Sequence, residues 1–255
     1  MPSYTTEALV LQRRNAGEND RILTLLTRQH GKLSASAKGA SKAGSRLSGA
    51  TEPFTRVRLL LATGRSTDII SQCEIVRSYP VLRTDIGRIA RASYWCELLA
   101  SLLHDRDATE TEAVFDLAAA ALNLLEREAV WPDAPLHGAE LRLLEITGYA
   151  PVLHQCAICG ASLSTEDASG FSPALGGTLC HTHAPQEPGA LVLTAQCIAL
   201  LQTIETAGAS TLCSIAPPQG VRNAVNRALR EFVRYHLGRS MGSADFLESI
   251  RGTEA

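Results

Sequence analysis

Four residues in the second half of the chain have the types and spacing of a metal site. Cys156-Ala157-Ile158-Cys159-Gly160 is followed by Cys180-His181-Thr182-His183, with twenty residues between Cys159 and Cys180. A Cys-x-x-Cys turn directs both sulfurs to one point, and a glycine just after it tolerates the left-handed backbone such a knuckle needs. Cys180 and His183 repeat that spacing, so Cys156, Cys159, Cys180 and His183 offer three thiolates and one imidazole, a set that tetrahedral zinc accepts. His181 stays open as a substitute for His183, although its spacing from Cys180 matches less well. Four protein ligands leave no position for water, so one structural Zn(2+) ion is expected rather than a catalytic one. A redox role for the Cys156 and Cys159 pair would need a thioredoxin-like βαβ context that the flanking sequence lacks, and it would leave the second knuckle unexplained.

The elements around these residues place them between helices. Leu141, Leu144 and Ile146 continue a helical period that stops at Gly148, Pro151 follows, and helical patterns resume over Thr194 to Thr206 and Val221 to Leu237. Residues 151–188 are therefore an insertion. With Phe171 as its one aromatic residue, the insertion is expected to take most of its folding free energy from the metal. It has no Lys or Arg between residues 150 and 190, which argues against the knuckles being the DNA reader of a zinc-containing transcriptional regulator.

Upstream of Pro80 the pattern is that of strands. Glu7 to Gln12, Arg21 to Thr27, Lys32 to Lys38, Phe54 to Leu61 and Asp68 to Val76 are short β-rich runs broken by Gly-containing turns. Lys32, Ser34, Ser36 and Lys38 alternate with Leu33, Ala35 and Ala37, and Phe54, Arg56 and Arg58 alternate with Thr55, Val57 and Leu59. Five short strands in this length match a small closed barrel of the oligonucleotide-binding (OB) type with one basic, solvent-facing side, although five strands alone fit other small barrels too. After Pro80, Ile86 to Leu99 and Val114 to Leu125 recur at helical spacing. The expected fold is thus α+β and multidomain: a five-stranded OB-type β-barrel over residues 1–80, an all-α helical domain over 81–150 and 189–255, and the inserted metal module over 151–188.

Charge supports that division. Residues 1–81 carry twelve Lys or Arg against six Asp or Glu, and the remainder carries twelve against twenty. Between Arg28 and Arg65 there are eight basic residues and one acid, Glu52, which is the footprint of a surface that meets a polyanion. Lys32, Lys38, Lys42, Arg46, Arg56 and Arg58 are the candidate DNA-binding residues, with Lys38, Lys42 and Arg46 in or beside a flexible Gly/Ser/Ala loop. The barrel offers only Tyr4, Phe54 and Tyr79 as aromatic residues, so affinity should come from phosphate contacts and depend strongly on salt. The acidic helical domain should repel DNA and suit protein partners instead.

Other classes fit less well. A composition of 45% hydrophobic and 20% charged residues is that of a folded globular chain, and no apolar run is long enough to span a bilayer. Seven cysteines without a secretory signal argue against a disulfide framework, and Cys73, Cys96, Cys197 and Cys213 read as packed thiols. A cytoplasmic, nucleoid-associated protein is expected. The acid pairs Asp105 with Asp107 and Glu110 with Glu112 could form the site of a metal-dependent DNA-processing enzyme, but acids at a helix start are commonly capping or dipole-favoured charges, and no enzyme activity is expected. No phosphate loop is present, since Leu26 stands where the first glycine before Gly31-Lys32 would be needed.

Taken in order, several segments resemble the bacterial RecO family of recombination mediators. They are Ala8-Leu9-Val10-Leu11, Gly17-Glu18-Asn19-Asp20, His30-Gly31-Lys32, Ala37-Lys38-Gly39-Ala40, Glu52-Pro53-Phe54, Glu140-Leu141-Arg142-Leu143-Leu144, Gly148-Tyr149-Ala150-Pro151, the two knuckles, and Tyr235-His236-Leu237-Gly238. The resemblance runs nearly end to end and departs at His183, where members that keep the zinc usually have a fourth cysteine. It implies an OB barrel, a helical domain and a zinc-ribbon-like insertion. It further implies binding of single- and double-stranded DNA, annealing of complementary strands, contacts with RecR and the single-strand-binding protein, and an indirect role in loading RecA during gap repair. Without a phosphate loop, annealing would be driven by base pairing rather than ATP.

Overall fold

Alternating apolar positions in the first eighty residues build five strands: β1 (Ser3–Ala16), β2 (Asp20–Thr27), β3 (Gly31–Ala37), β4 (Thr55–Ala62) and β5 (Asp68–Arg77). A single turn, α1 (Leu47–Ala50), lies between β3 and β4. The structure, a computed structural model, describes residues 2–45, 47–164 and 167–253. The strands close into a barrel in the order β1-β2-β3-β5-β4, with β1 antiparallel to both β2 and β4. Closure between β3 and β5 is parallel and short, through Ala35 opposite Asp68 and Ser36 opposite Ile69. This is the OB-type order. β1 is longer than its apolar run, because its polar end, Arg13 to Ala16, continues the ladder with β2 beyond a register shift between Val10 and Gln12.

Val10, Leu23, Leu25, Leu33, Ala35, Val57, Leu59 and Leu61 fill the barrel. Leu9 and Leu11 point the other way and are also buried, since α2 (Ile86–Leu102) packs on β1. A 3-10 turn (Pro80–Arg83) leads into α2, whose first turn is capped by Asp85 accepting from the Arg88 N–H at 2.8 Å. α3 (Thr111–Leu125) follows, and the buried Trp95 of α2 donates to its Ala118 carbonyl at 3.3 Å. Barrel, α2 and α3 form one compact unit, residues 1–126 with 245–255.

The second unit spans 127–244. It holds α4 (Ala134–Ile146), the strands β6 (Ala168–Ser172), β7 (Gly177–Cys180) and β8 (Leu191–Val192) in the order β7-β6-β8, then α5 (Ala195–Thr206), α6 (Ala209–Ser214) and α7 (Gln219–Leu237). The last helix, α8 (Gly242–Arg251), starts at the end of this unit. Leu143 and Leu144 of α4, Ile198 and Leu201 of α5, and Leu229 and Phe232 of α7 are buried. His137 joins α4 to α7 through a 2.7 Å contact with Asn226, and its other ring nitrogen meets Glu140. The periodicity read from sequence located α2, α3, α4, α5 and α7, whereas the short α1 and α6 and the polar α8 were not expected. Among the described residues no helix is long and apolar enough to cross a membrane.

Candidate metal centre and nucleic-acid interface

Each half of the cysteine cluster is set by a tight turn. The Gly160 N–H donates to the Cys156 carbonyl at 2.9 Å with Gly160 at φ 69°, and the His183 N–H donates to the Cys180 carbonyl at 3.0 Å. Cys180 ends β7, so the sheet delivers the second knuckle to the first. That sheet is itself held close to the chain before Cys156: Gly177 lies so near Val152 that a Cβ on it would sit 2.3 Å from the Val152 carbonyl oxygen. One ligand atom from each of Cys156, Cys159, Cys180 and His183 falls within 4.8 Å of all the others. Nδ1 of His183 lies 3.2 Å from Cys180 Sγ and 3.7 Å from Cys156 Sγ, so His183 is the imidazole that completes the cluster, while His181 is exposed.

Electrostatics prepare the sulfurs for a cation. Burial disfavours the Cys156 thiolate, but N–H groups of Cys159, Cys180 and Ile158 outweigh it and bring its pKa down to about 6. Burial likewise works against the Cys180 thiolate, and the His183 and Thr182 N–H groups with the His183 ring hold its pKa below the ordinary thiol value. The Ala161 N–H favours a thiolate at Cys159, yet the neighbouring Cys156 and Cys180 push it up overall, as expected where three thiols crowd one point. Backbone donors around clustered thiolates fit a cation, and the cluster can hold one metal ion. Phe171 of β6 is fully buried, 5.7 Å from Phe232 of α7, so the insertion also leans on the helices instead of depending on the metal alone.

The basic residues of the barrel divide into two groups. Lys38 and Arg58 have exposed side chains that each meet one acid, Asp20 at 3.0 Å and Glu74 at 3.3 Å, and Lys42 is exposed beside Gly39. Lys32 and Arg56 correct the expectation of a wholly solvent-facing basic side. Both point away from the barrel core, but α2 and α3 cover that surface. Lys32 Nζ donates to the Ala100 carbonyl at the end of α2 at 2.7 Å and meets Asp105 at 3.2 Å. Arg56 pairs with Glu7 at 2.8 Å, and both Arg56 and Arg28 lie over the Phe115 ring of α3. Burial would raise the Glu7 carboxyl, but the hydrogen bond and charge of Arg56, with Arg28, hold it below the usual range. Alternation shows which way a side chain points and not what stands in front of it.

The loop after β3 is also more ordered than its composition suggested. Asp20 accepts from the Gly39 N–H at 2.8 Å, and Arg21 bonds Ser41, the Ser48 carbonyl and Thr51 at 2.7 to 3.2 Å. Lys42 is therefore presented by a tied loop, and Arg46 lies outside the described residues. Register adds residues that the sequence reading missed. Gln12 pairs with Thr24 and Thr24 with Ser34, while Arg14 pairs with Ile22 and Ile22 with Ser36. Directly paired residues share a face, so Gln12, Arg14, Thr24, Ser34 and Ser36 form an outer surface of β1-β2-β3 that is polar around the half-buried Ile22, with Lys38, paired to Asp20, at its edge. The signal lay in Gln12 and Arg14, two apart on the same strand. None of the barrel aromatics is an open stacking platform: Tyr79 and Phe54 are buried, and Tyr4 donates to Asp68 at 2.6 Å with its ring against His30.

Three of the four acids in the two pairs have local tasks, while Glu110, the N-cap residue of α3, makes no side-chain cap bond. Asp105 meets Lys32, and Asp107 accepts from the Thr109 N–H at 2.9 Å, a bond that holds its carboxyl below the usual range. Glu112 lies in the first turn of α3, where the helix dipole favours it.

An OB-type barrel joined to a helical unit that carries a Cys3His cluster defines the class: a multidomain α+β protein with an oligonucleotide-type module and a knuckle pair that can hold a metal ion. Residues 1–79 match the family model for the recombination protein O N terminal region, and 83–245 that for the recombination protein O C terminal region. The chain is 35% identical over 250 residues to DNA repair protein RecO of Pelotomaculum thermopropionicum, covering 97% of this chain and 94% of that one. It is 33% identical to DNA repair protein RecO of Symbiobacterium thermophilum over 98% of this chain and 99% of that one, and 37% identical to that of Anaeromyxobacter sp. strain K over 95% and 94%. The chain belongs to the RecO family of DNA repair and recombination proteins.

Proposed function

We propose that this protein is a recombination mediator that holds single- and double-stranded DNA by its backbone phosphates, anneals complementary strands and, with RecR, helps RecA displace the single-strand-binding protein in gap repair. It acts on the nucleoid in the cytoplasm without enzymatic chemistry of its own. One observation carries the reading: the β1-β2-β3 face of a closed OB-type barrel presents Gln12, Arg14, Thr24, Ser34, Ser36 and Lys38 together, with Lys42 on a tied loop beside it. Hydroxyl and amide donors among cations suit phosphate oxygens, and the closed aromatic residues leave little for base stacking on this face. Such binding tolerates any sequence. Arg58 lies opposite Glu7, away from Gln12 and Arg14 along β1, and Lys32 and Arg56 fix the barrel to its helices.

The cluster would hold Zn(2+) through Cys156, Cys159, Cys180 and His183 as one structural ion. When bound, the ion supplies cross-linking of the two knuckles, and the chain orients it with N–H groups around the sulfurs. The organisation into a barrel of residues 1–80, a helical domain of 81–150 and 189–255, and an inserted module of 151–188 belongs to this reading. The test is a salt titration of oligonucleotide binding. Lys38→Ala with Lys42→Ala should lower the slope of log affinity against log salt by about 1.4 on single strands and weaken all sequences alike. An unchanged slope would place the DNA elsewhere.

A further inference from the structure

The second unit is acidic in sum, but its longest helix is not. From Gln219 to Met241 the chain carries Arg222, Arg227, Arg230, Arg234 and Arg239 against a single acid, Glu231. The apolar side of α7, including Val225, Leu229 and Phe232, is buried, which turns Arg227 and Arg234, seven residues and about 10 Å apart, to one outer side. Beside them runs a groove of about 890 Å³, walled by α7 and by Pro173 and Leu191 of the three-stranded sheet region, and lined by Arg227, Arg234, Tyr235 and Arg239 together with the one acid, Glu231. Glu231 engages Arg234 and Arg230, and among the described residues Arg227 has no acidic partner.

The aromatic residues here contrast with those of the barrel. Tyr235 is 55% exposed and Tyr149 42% exposed, and both rings pack on His236, at 5.5 and 5.3 Å. Cations spaced along a groove, with the open ring of Tyr235 among them, are the elements of a sequence-tolerant single-strand site: charge follows the backbone while a ring stacks a base. An acidic peptide would use the arginines but has no comparable use for the open tyrosine face of Tyr235.

We propose that this α7 groove is a second path for single-stranded nucleic acid, with Arg227, Arg234 and Arg239 meeting phosphates and Tyr235 stacking a base. The inference rests on the reading of the chain as a DNA-binding protein, but not on the barrel being the interface. Together with the barrel face of the proposed function, such a path would let the chain hold two strands at once, which is what annealing requires.

The experiment uses the full metal-replete chain and a fluorescein-labelled oligothymidylate. Arg227→Ala with Arg234→Ala should lower the salt slope by about 1.4, and Tyr235→Ala should weaken binding about tenfold while leaving the slope unchanged. Photocrosslinking of an iodouracil-substituted oligonucleotide to the unsubstituted protein should label Tyr235 or Tyr149, a readout that needs no variant to fold. Lys38→Ala with Lys42→Ala serves as the comparison. If that barrel pair is silent while the α7 pair weakens binding, the groove stands and the barrel interface falls. If the barrel pair weakens binding while the α7 variants match the parent and no crosslink reaches these tyrosines, the groove proposal is overturned. It is equally overturned if the α7 pair leaves oligothymidylate binding intact but abolishes binding of a labelled oligoglutamate peptide, which would make the groove a peptide site.

Discussion

The barrel buries Leu23, Leu25, Leu33, Val57, Leu59 and Leu61 in one continuous core, each contributed by alternation along a strand. The cysteine module buries far less, chiefly Leu153, Phe171 and Leu179, and converges instead on four ligand atoms within 4.8 Å of one another. In the barrel, stability is spread over many positions and no single one is indispensable. In the module a bound metal would concentrate it at the four ligands, beside the anchoring of Phe171 on Phe232. The same contrast governs tolerance to change: a distributed core loses stability in increments, whereas a metal-cross-linked module is expected to lose it more sharply when a ligand is removed.

The sharpest test of that contrast is removal of the metal. Structural zinc contributes on the order of 10 kcal/mol to small knuckle peptides, so Cys159→Ser or chelation should abolish stoichiometric metal in elemental analysis and expose amides 150–190 to hydrogen exchange. Protection in β1 to β5 should be unaffected. Next in size, Leu59→Ala should destabilise the barrel by about 2 to 5 kcal/mol in denaturant titration while leaving metal content intact. Loss of metal in that variant would break the comparison. A smaller effect is expected of Gly177→Ala, whose Cβ would press on the Val152 carbonyl. We expect about 1 to 3 kcal/mol, read as lower protection of β7 amides with the metal retained.

The smallest effect concerns pH. The folded Glu7 carboxyl has a depressed pKa, so its pairing with Arg56 and Arg28 stabilises the first unit above the ordinary carboxylate range. That stability is lost as pH falls through the depressed folded value. Glu7→Gln should therefore cost about 1 kcal/mol at neutral pH and show a shallower decline in Tm between neutral pH and pH ~3. An identical acid profile in the two proteins would show that Glu7 does not carry this pH dependence.

Much of this architecture is legible in the residue order. Period-two runs such as Lys32 to Lys38 mark the strands, and the matched spacing of Cys156 with Cys159 and of Cys180 with His183 marks the cluster, because both depend on near neighbours in the chain. What was not legible depends on partners far along it. Nothing around Lys32 foretells that the Ala100 carbonyl and Asp105 will meet its ammonium, nor does the sequence near Arg56 reveal Phe115. The β1-β2-β3 face needed the register that sets Arg14 opposite Ile22 and Ile22 opposite Ser36. A net charge over the helical half likewise averaged away the basic side of α7.

β1 pairs on one side with β2 and on the other with β4, and the two seams differ in what they demand of an unfolded chain. Asn15 finds Arg21 across a short turn, while Ser3 must find Ala62. Hairpins of the first kind form within microseconds, but the second closure costs the entropy of a long loop before any contact repays it. The β1-β4 seam is thus the slow event in making the barrel. Until it forms, β1 presents an unpaired edge alongside β2, and the nascent first unit is at its most exposed to pairing with another chain.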